Sequence, residues 1–141
     1  MILYLDTSAL VKLVVEEPGS DEVDAIVATA EYAVSSVISY AEGRSAIARA
    51  AHEGRVAAAA AVRALDQIWS AVQTLDVDQR LCLRAGELAG RHLLRGMDAL
   101  HLATALEVAA PDLPVAFATF DRPLAQAARA EGLTIPVRPG V

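Results

Sequence analysis

Four carboxylates in this chain, Asp6, Glu42, Asp98 and Asp121, have the type and placement to do chemistry together. Asp6 closes the apolar run of "MILYLDTSAL", and Asp121 closes that of "AFATFDRPLA". Asp98 opens "GMDALHLATAL", just after Gly96. Glu42 falls inside a helical pattern in which Ile38, Ala41, Glu42 and Ser45 share one face. A carboxylate bordering an apolar and small-residue face needs a partner, and no basic residue offers one by spacing. Grouped carboxylates drive one another to protonate unless a cation neutralises them. Mg²⁺ suits such a group, because it takes oxygen ligands and keeps several waters. Mn²⁺ fits nearly as well. The His and Cys spacing that zinc prefers is absent. An acidic cage of this kind suits phosphodiester hydrolysis, in which water is activated and the departing oxygen is stabilised.

Each acid also has a plainer reading. Asp6, Asp98 and Asp121 can each N-cap a following helix, with Pro123 in the first turn after Asp121. Glu42 can be a solvated surface residue. Spacing leaves both readings open.

The elements that must position these residues follow from periodicity. "ILYLD", "YAVSS", "VQTLDV" and "LPVAFATFD" are predicted strands. Helical spacing is predicted in "TSALVKLVVEE" up to the break at "EPGS", and in "SDEVDAIVATA" with Ser20 as N-cap. A long helical tract starts near Val37, breaks near "HEGR" and resumes through "VAAAAAVRALDQIW". "DQRLCLRAGELAGRHLL", "GMDALHLATALEVA" and "RPLAQAARAEG" complete the predicted helices, and "TIPV" is a candidate edge strand. Strands alternating with helices predict an α/β domain around a mostly parallel sheet. Sites in such sheets lie at the carboxyl ends of the strands, where Asp6 and Asp121 both fall.

The chain has 141 residues, which fits one domain over residues 1–141. With 55% hydrophobic residues it reads as globular and not disordered. The single cysteine, Cys82, excludes an internal disulfide and points to a reducing, cytoplasmic setting. No basic leader precedes the first apolar run, and no uncharged run approaches the ~18 residues of a membrane span. The net charge of −6 argues against a protein that coats nucleic acid through a basic surface. The basic residues are nonetheless almost all arginine, which suits a phosphate clamp at a defined spot.

Taken together, "YLDTSALVKL", "SYAEGRSAI", "GMDALHLATAL" and "FATFDRPLAQAA" resemble, in order and over the whole chain, the acidic motifs of PIN-domain nucleases. The likeness is nearest to the toxin ribonucleases of VapBC-type toxin–antitoxin pairs. That resemblance implies a PIN-like α/β/α sandwich and an endoribonuclease dependent on Mg²⁺ or Mn²⁺. It puts Asp6, Glu42, Asp98 and Asp121 at the metal site. It makes Ser8 and Thr119 orienting hydroxyls or phosphate contacts, with ordinary strand-end and cap hydroxyls as the alternative. It further implies an RNA substrate, a cognate antitoxin and a homodimer. Arg44 and Arg122, near Glu42 and Asp121 in sequence, lead the candidate RNA clamps, ahead of Arg49, Arg91 and Arg95. His101 either orders a ligand or sits at the core edge, and Leu65 and Trp69 read as core or dimer contacts.

Two other classes remain in view. One is a non-catalytic PIN-like binding module acting through a protein partner. The other is an Asp-based phosphotransfer or receiver domain. A haloacid-dehalogenase-type phosphatase wants an acid two positions after the first, where Ser8 stands. A receiver wants a lysine after a late strand, whereas Lys12 lies in the first predicted helix.

Overall fold

The computed structural model describes residues 1–140. At its centre, β1 (Ile2–Leu5) pairs in parallel with β2 (Tyr32–Ser36) on one side and with β4 (Val115–Ala118) on the other. The short β3 (Gln73–Leu75) extends the sheet beyond β2, giving the order β3-β2-β1-β4. β1 and β4 are buried at every position, as central strands of a parallel sheet covered on both faces must be. Their sequences, ILYL and VAFA, are accordingly unbroken apolar runs.

Alternation along these strands feeds two cores. Tyr4, Val34 and Phe117 face one layer, with Leu102 from α6 (Gly96–Val108), Leu88 from α5 (Gln79–His92) and Leu124 from α7 (Arg122–Ala130). Leu3, Leu5 and Ala118 face the other. Their partners there include Leu10 of α1 (Thr7–Lys12), Val23 of α2 (Ser20–Thr29), Ile47 of α3 (Ile38–His52) and Leu65 of α4 (Ala58–Ala71). Each such fully buried side chain contributes about 1.5–3 kcal/mol of transfer free energy. The result is the α/β/α sandwich expected from the alternating pattern.

Three local expectations are corrected. α1 ends at Lys12 instead of running toward Glu17, and the chain turns through Gly19 at φ 96°. Ser20 is the first helical residue of α2 and not its N-cap, a place that Gly19 takes in the left-handed region. The Ser20 hydroxyl serves the turn itself, accepting from the Glu17 amide and donating to the Val15 carbonyl. "TIPV" adds only a single parallel bridge, Thr134 beside Ala116, since Pro136 lacks the N–H to continue a ladder.

Register positions the site. Leu5 of β1 lies opposite Ala118 of β4, and the Asp6 amide donates to the Ala118 carbonyl at 3.2 Å. The carboxyl ends of β1 and β4 therefore finish side by side, bringing Asp6 next to the Thr119–Asp121 segment.

Candidate active site

Asp6 caps α1: its Oδ1 accepts from the Ala9 amide at 3.0 Å and from the Ser8 hydroxyl at 2.6 Å. The nearby Thr119 hydroxyl also favours its ionised form. Asp6 is buried, and burial pushes its pKa up against the opposing pull of the His101 charge and of these hydrogen bonds. Ser8 Oγ in turn accepts from the Phe120 amide at 3.0 Å, and Thr119 Oγ1 from the Asp121 amide at 3.2 Å. The Ser8 hydroxyl thus stitches the end of β1 to the loop after β4. Thr119 is fully buried.

Asp121 caps α7 through Oδ1, which accepts from the Leu124 amide at 2.9 Å, with Pro123 in the first turn as read from sequence. Its Oδ2 lies 3.6 Å from the Arg95 guanidinium. Arg95 Nε also donates to Asp98 Oδ2 at 3.2 Å, so one guanidinium joins the two acids. Asp98 is not a cap. It stands in the first turn of α6, whose N-cap position is Arg95, with no side chain capping the helix amides. Burial, then the neighbouring Asp121 charge, raises the pKa of Asp98. Arg95 is 83% exposed and solvent-screened, so its pairing with these acids is worth little.

Glu42 has a partner that spacing did not reveal. Its Oε1 accepts from Thr7 Oγ1 at 2.5 Å and from His101 Nε2 at 2.8 Å. Burial alone would push this carboxyl up. The hydrogen bonds from His101 and Thr7, with the His101 charge, outweigh it and hold Glu42 below its usual value. His101 Nδ1 meets the Tyr4 hydroxyl at 2.8 Å, deep in the core. The sequence placed His101 one turn after Asp98 but carried no sign of its bond to Glu42. Thr7 and Tyr4 were missed altogether, although both flank Asp6 closely in the chain.

Of these groups, Glu42, Asp121, Thr7 and Ser8 line a cleft of about 800 Å³ that runs to Arg49 and Arg55. A second hollow, lined by Arg95, Met97 and Asp98, shares Glu42 with the first. The small-residue face of α3, with Ala41 and Ser45, is a wall of the first cleft and not part of the core. The leading arginine candidates lie outside both linings. Arg44 bonds the Tyr40 hydroxyl at 3.1 Å, and Arg122 packs by Gly140 and Pro139. Trp69 packs on Tyr40, and Leu65 is in the core.

Residues 3–130, most of the chain, match the model of the family described as PIN domain. The chain belongs to the PIN domain family. It is 38% identical over 137 residues to Ribonuclease VapC45 of Mycobacterium tuberculosis (strain CDC 1551 / Oshkosh), covering 95% of this chain and 94% of that protein. Its fold is similar to that of PAE2754 from Pyrobaculum aerophilum, with a TM-score of 0.72 and 22% identity over 96% of this chain and 84% of the other. It is also similar to a chain of a toxin–antitoxin complex from Klebsiella pneumoniae, with a TM-score of 0.67 and 19% identity over 96% and 98%.

The donor set of this PIN domain fits a hard divalent cation in chemical type. It consists of carboxylate oxygens, two of them on acids whose proton affinity is raised by burial, and in Asp98 by a like charge as well. Asp121 and Glu42 each commit one oxygen to a protein donor, while the second oxygen of Glu42 accepts from no described residue. The four acids do not close into a ready cage. Among the described residues, no group of three or more His, Cys, Asp or Glu is placed to hold one metal ion. Each acid is drawn to its own donor, and Arg95 sits between Asp98 and Asp121.

Proposed function

We propose that this PIN domain is an Mg²⁺- or Mn²⁺-dependent endoribonuclease, the toxin of a toxin–antitoxin pair. The observation that carries the reading is the juxtaposition of Asp6 and Asp121 at the adjoining ends of β1 and β4, with Glu42 on the cleft that Asp121 lines and Asp98 in the adjoining hollow that shares Glu42. The ribonuclease name of a relative at 38% identity over 95% of the chain supports the substrate class. The Klebsiella toxin–antitoxin complex supports an antitoxin partner, and a homodimer in the cytoplasm belongs to the same reading.

Asp6, Glu42, Asp98 and Asp121 would hold the cation. When bound, it would supply charge for the phosphoryl oxygens and lower the pKa of a water. The protein's own share is positioning. Ser8 and the Ala9 amide fix the Asp6 carboxylate, and the α7 cap fixes Asp121. Glu42 keeps one oxygen available at the cleft, where it can orient an attacking water. Arg49 and Arg55, on the cleft wall, can meet flanking phosphates in place of Arg44 and Arg122.

The test is the chemistry of the cut ends. End-labelled RNA treated with antitoxin-free protein should give 5′-phosphate and 3′-hydroxyl termini. Products ending in a 2′,3′-cyclic phosphate would mean attack by the RNA's own hydroxyl, and the reading would fail.

A further inference from the structure

His101 is 2% exposed, yet neither of its ring nitrogens bonds a backbone group. Its partners come from three other elements: Tyr4 on β1, Thr7 on α1 and Glu42 on α3. At Nε2, the Glu42 carboxylate oxygen at 2.8 Å can only accept, so Nε2 carries the proton. At Nδ1, the Tyr4 hydroxyl lies at 2.8 Å, and its oxygen can donate to a bare ring nitrogen or accept from a protonated one. The ring is therefore held at both nitrogens, with Nε2–H on Glu42.

Tyr4 is itself immobile. It is fully buried, lies opposite Phe117 in the β1–β4 register, and stacks on that ring at 5.2 Å between centroids with planes 6° apart. The His101 ring meets Tyr4 edge-on at 6.0 Å. A rigid path therefore runs from the centre of the sheet to one oxygen of Glu42. Thr7 Oγ1 donates to that same oxygen at 2.5 Å and lies 3.2 Å from Nε2. With both donors on Oε1, two part-buried hydrogen bonds hold one oxygen of the Glu42 carboxylate, and the other is left to the cleft.

We infer that His101, held at both ring nitrogens between Tyr4 and Glu42, is a positioning residue that fixes Glu42 so that one carboxylate oxygen is offered at the site. The kinetic consequence rests on the ribonuclease reading; the hydrogen-bonded path does not. A histidine that merely filled the core would tolerate any polar replacement of similar size. A positioning histidine needs a group that bonds Tyr4 and donates to Glu42 at once. The Gln amide has both functions, and Leu has neither.

The test combines ¹⁵N NMR of the histidine rings with RNA cleavage by His101→Gln, His101→Leu and Tyr4→Phe. The resonance lost in His101→Gln identifies His101 among the three histidines. In the wild type it should show Nε2 protonated, and Tyr4→Phe should shift the Nδ1 resonance. His101→Leu should lower kcat by roughly 10–100-fold, the usual cost of losing a group that orients a ligand, with KM for RNA little changed. His101→Gln should recover most of that loss. A ring bare at Nε2 in the wild type overturns the inference, since it could not donate to Glu42. So does a folded His101→Leu that cleaves like wild type, or a His101→Gln no better than Leu. If His101→Leu does not fold, Tyr4→Phe decides: unchanged ring resonances and unchanged kcat overturn the inference. If neither wild type nor any variant cleaves RNA, the ribonuclease reading has failed, and Nε2 alone decides the role of His101: protonated supports it, bare overturns it.

Discussion

Asp121 holds two jobs in one side chain, and they can be separated. Its Oδ1 caps α7 through the Leu124 amide at 2.9 Å, while its Oδ2 faces Arg95 and the site. Asp121→Ala removes both. Loss of an N-cap of this kind costs about 1 kcal/mol, and the exposed pairing with Arg95 adds almost nothing. Relief of the repulsion that raises Asp98 offsets part of the cost. The net is a loss of about 1 kcal/mol or less, a fall in Tm of no more than about 5 °C for a domain of this size. Asp121→Ser restores a capping oxygen without the charge, and should hold Tm within about 1 °C of wild type on the same scale. Asp121→Asn should do the same. Cleavage should not follow stability. All three variants lose a site carboxylate, worth several kcal/mol of charge stabilisation, so cleavage should drop by roughly 10²-fold or more in each. Paired thermal melts and RNA cleavage rates for the three proteins make the assay. The cap argument is refuted if Ser melts as low as Ala, and the site argument if Asn cleaves like wild type.

Other expectations concern charge and packing. Burial raises the pKa of Asp6 and Asp98, so each binds its proton more tightly folded than unfolded. Their contribution to metal-free stability is full below about pH 4 and is lost as pH rises through the folded values. Asp98→Asn should therefore melt higher than wild type in EDTA at pH 7.5, and Mg²⁺ should raise the Tm of the wild type more than that of the variant. A lower melt for the variant would show that burial is not the dominant cost. Gly19→Ala forces a side chain into φ 96° with its Cβ 2.7 Å from the Phe120 ring. Urea unfolding should show a loss of about 1–2 kcal/mol, and an unchanged midpoint would contradict the assigned turn. Leu102→Ala, in the core between α6 and the sheet, should cost about 2–5 kcal/mol by the same measurement.

What the sequence displayed, and what it concealed, follows from the range of each interaction. β1 and β4 are legible because a strand covered on both faces must be apolar throughout, and the break between α3 and α4 is marked by Gly54. Asp6 and Asp121 were visible as acids ending strands, and their capping and site readings prove compatible, since each geometry uses one oxygen for the cap. The length of α1 was hidden, because Leu13 and Val14 continue its apolar pattern past the point where the turn at Gly19 draws the chain away. The Glu42–His101 bond joins residues 59 apart in sequence, a pairing that helical periodicity cannot express. Arg95 as the link between Asp98 and Asp121, and Arg44 and Arg122 as residues outside the cleft, depend on which way exposed side chains lie, and nearness in sequence does not determine that.

The central claim is that these four acids form one metal-dependent site that cleaves RNA. Purified, antitoxin-free protein and an identically prepared Asp98→Asn variant should be incubated with mixed tRNA and rRNA in Mg²⁺, Mn²⁺ or EDTA. Cleavage by the wild type in either metal, absent in EDTA and absent in the variant, is the predicted result. Equal cleavage by both proteins, or cleavage that persists in EDTA, would contradict it.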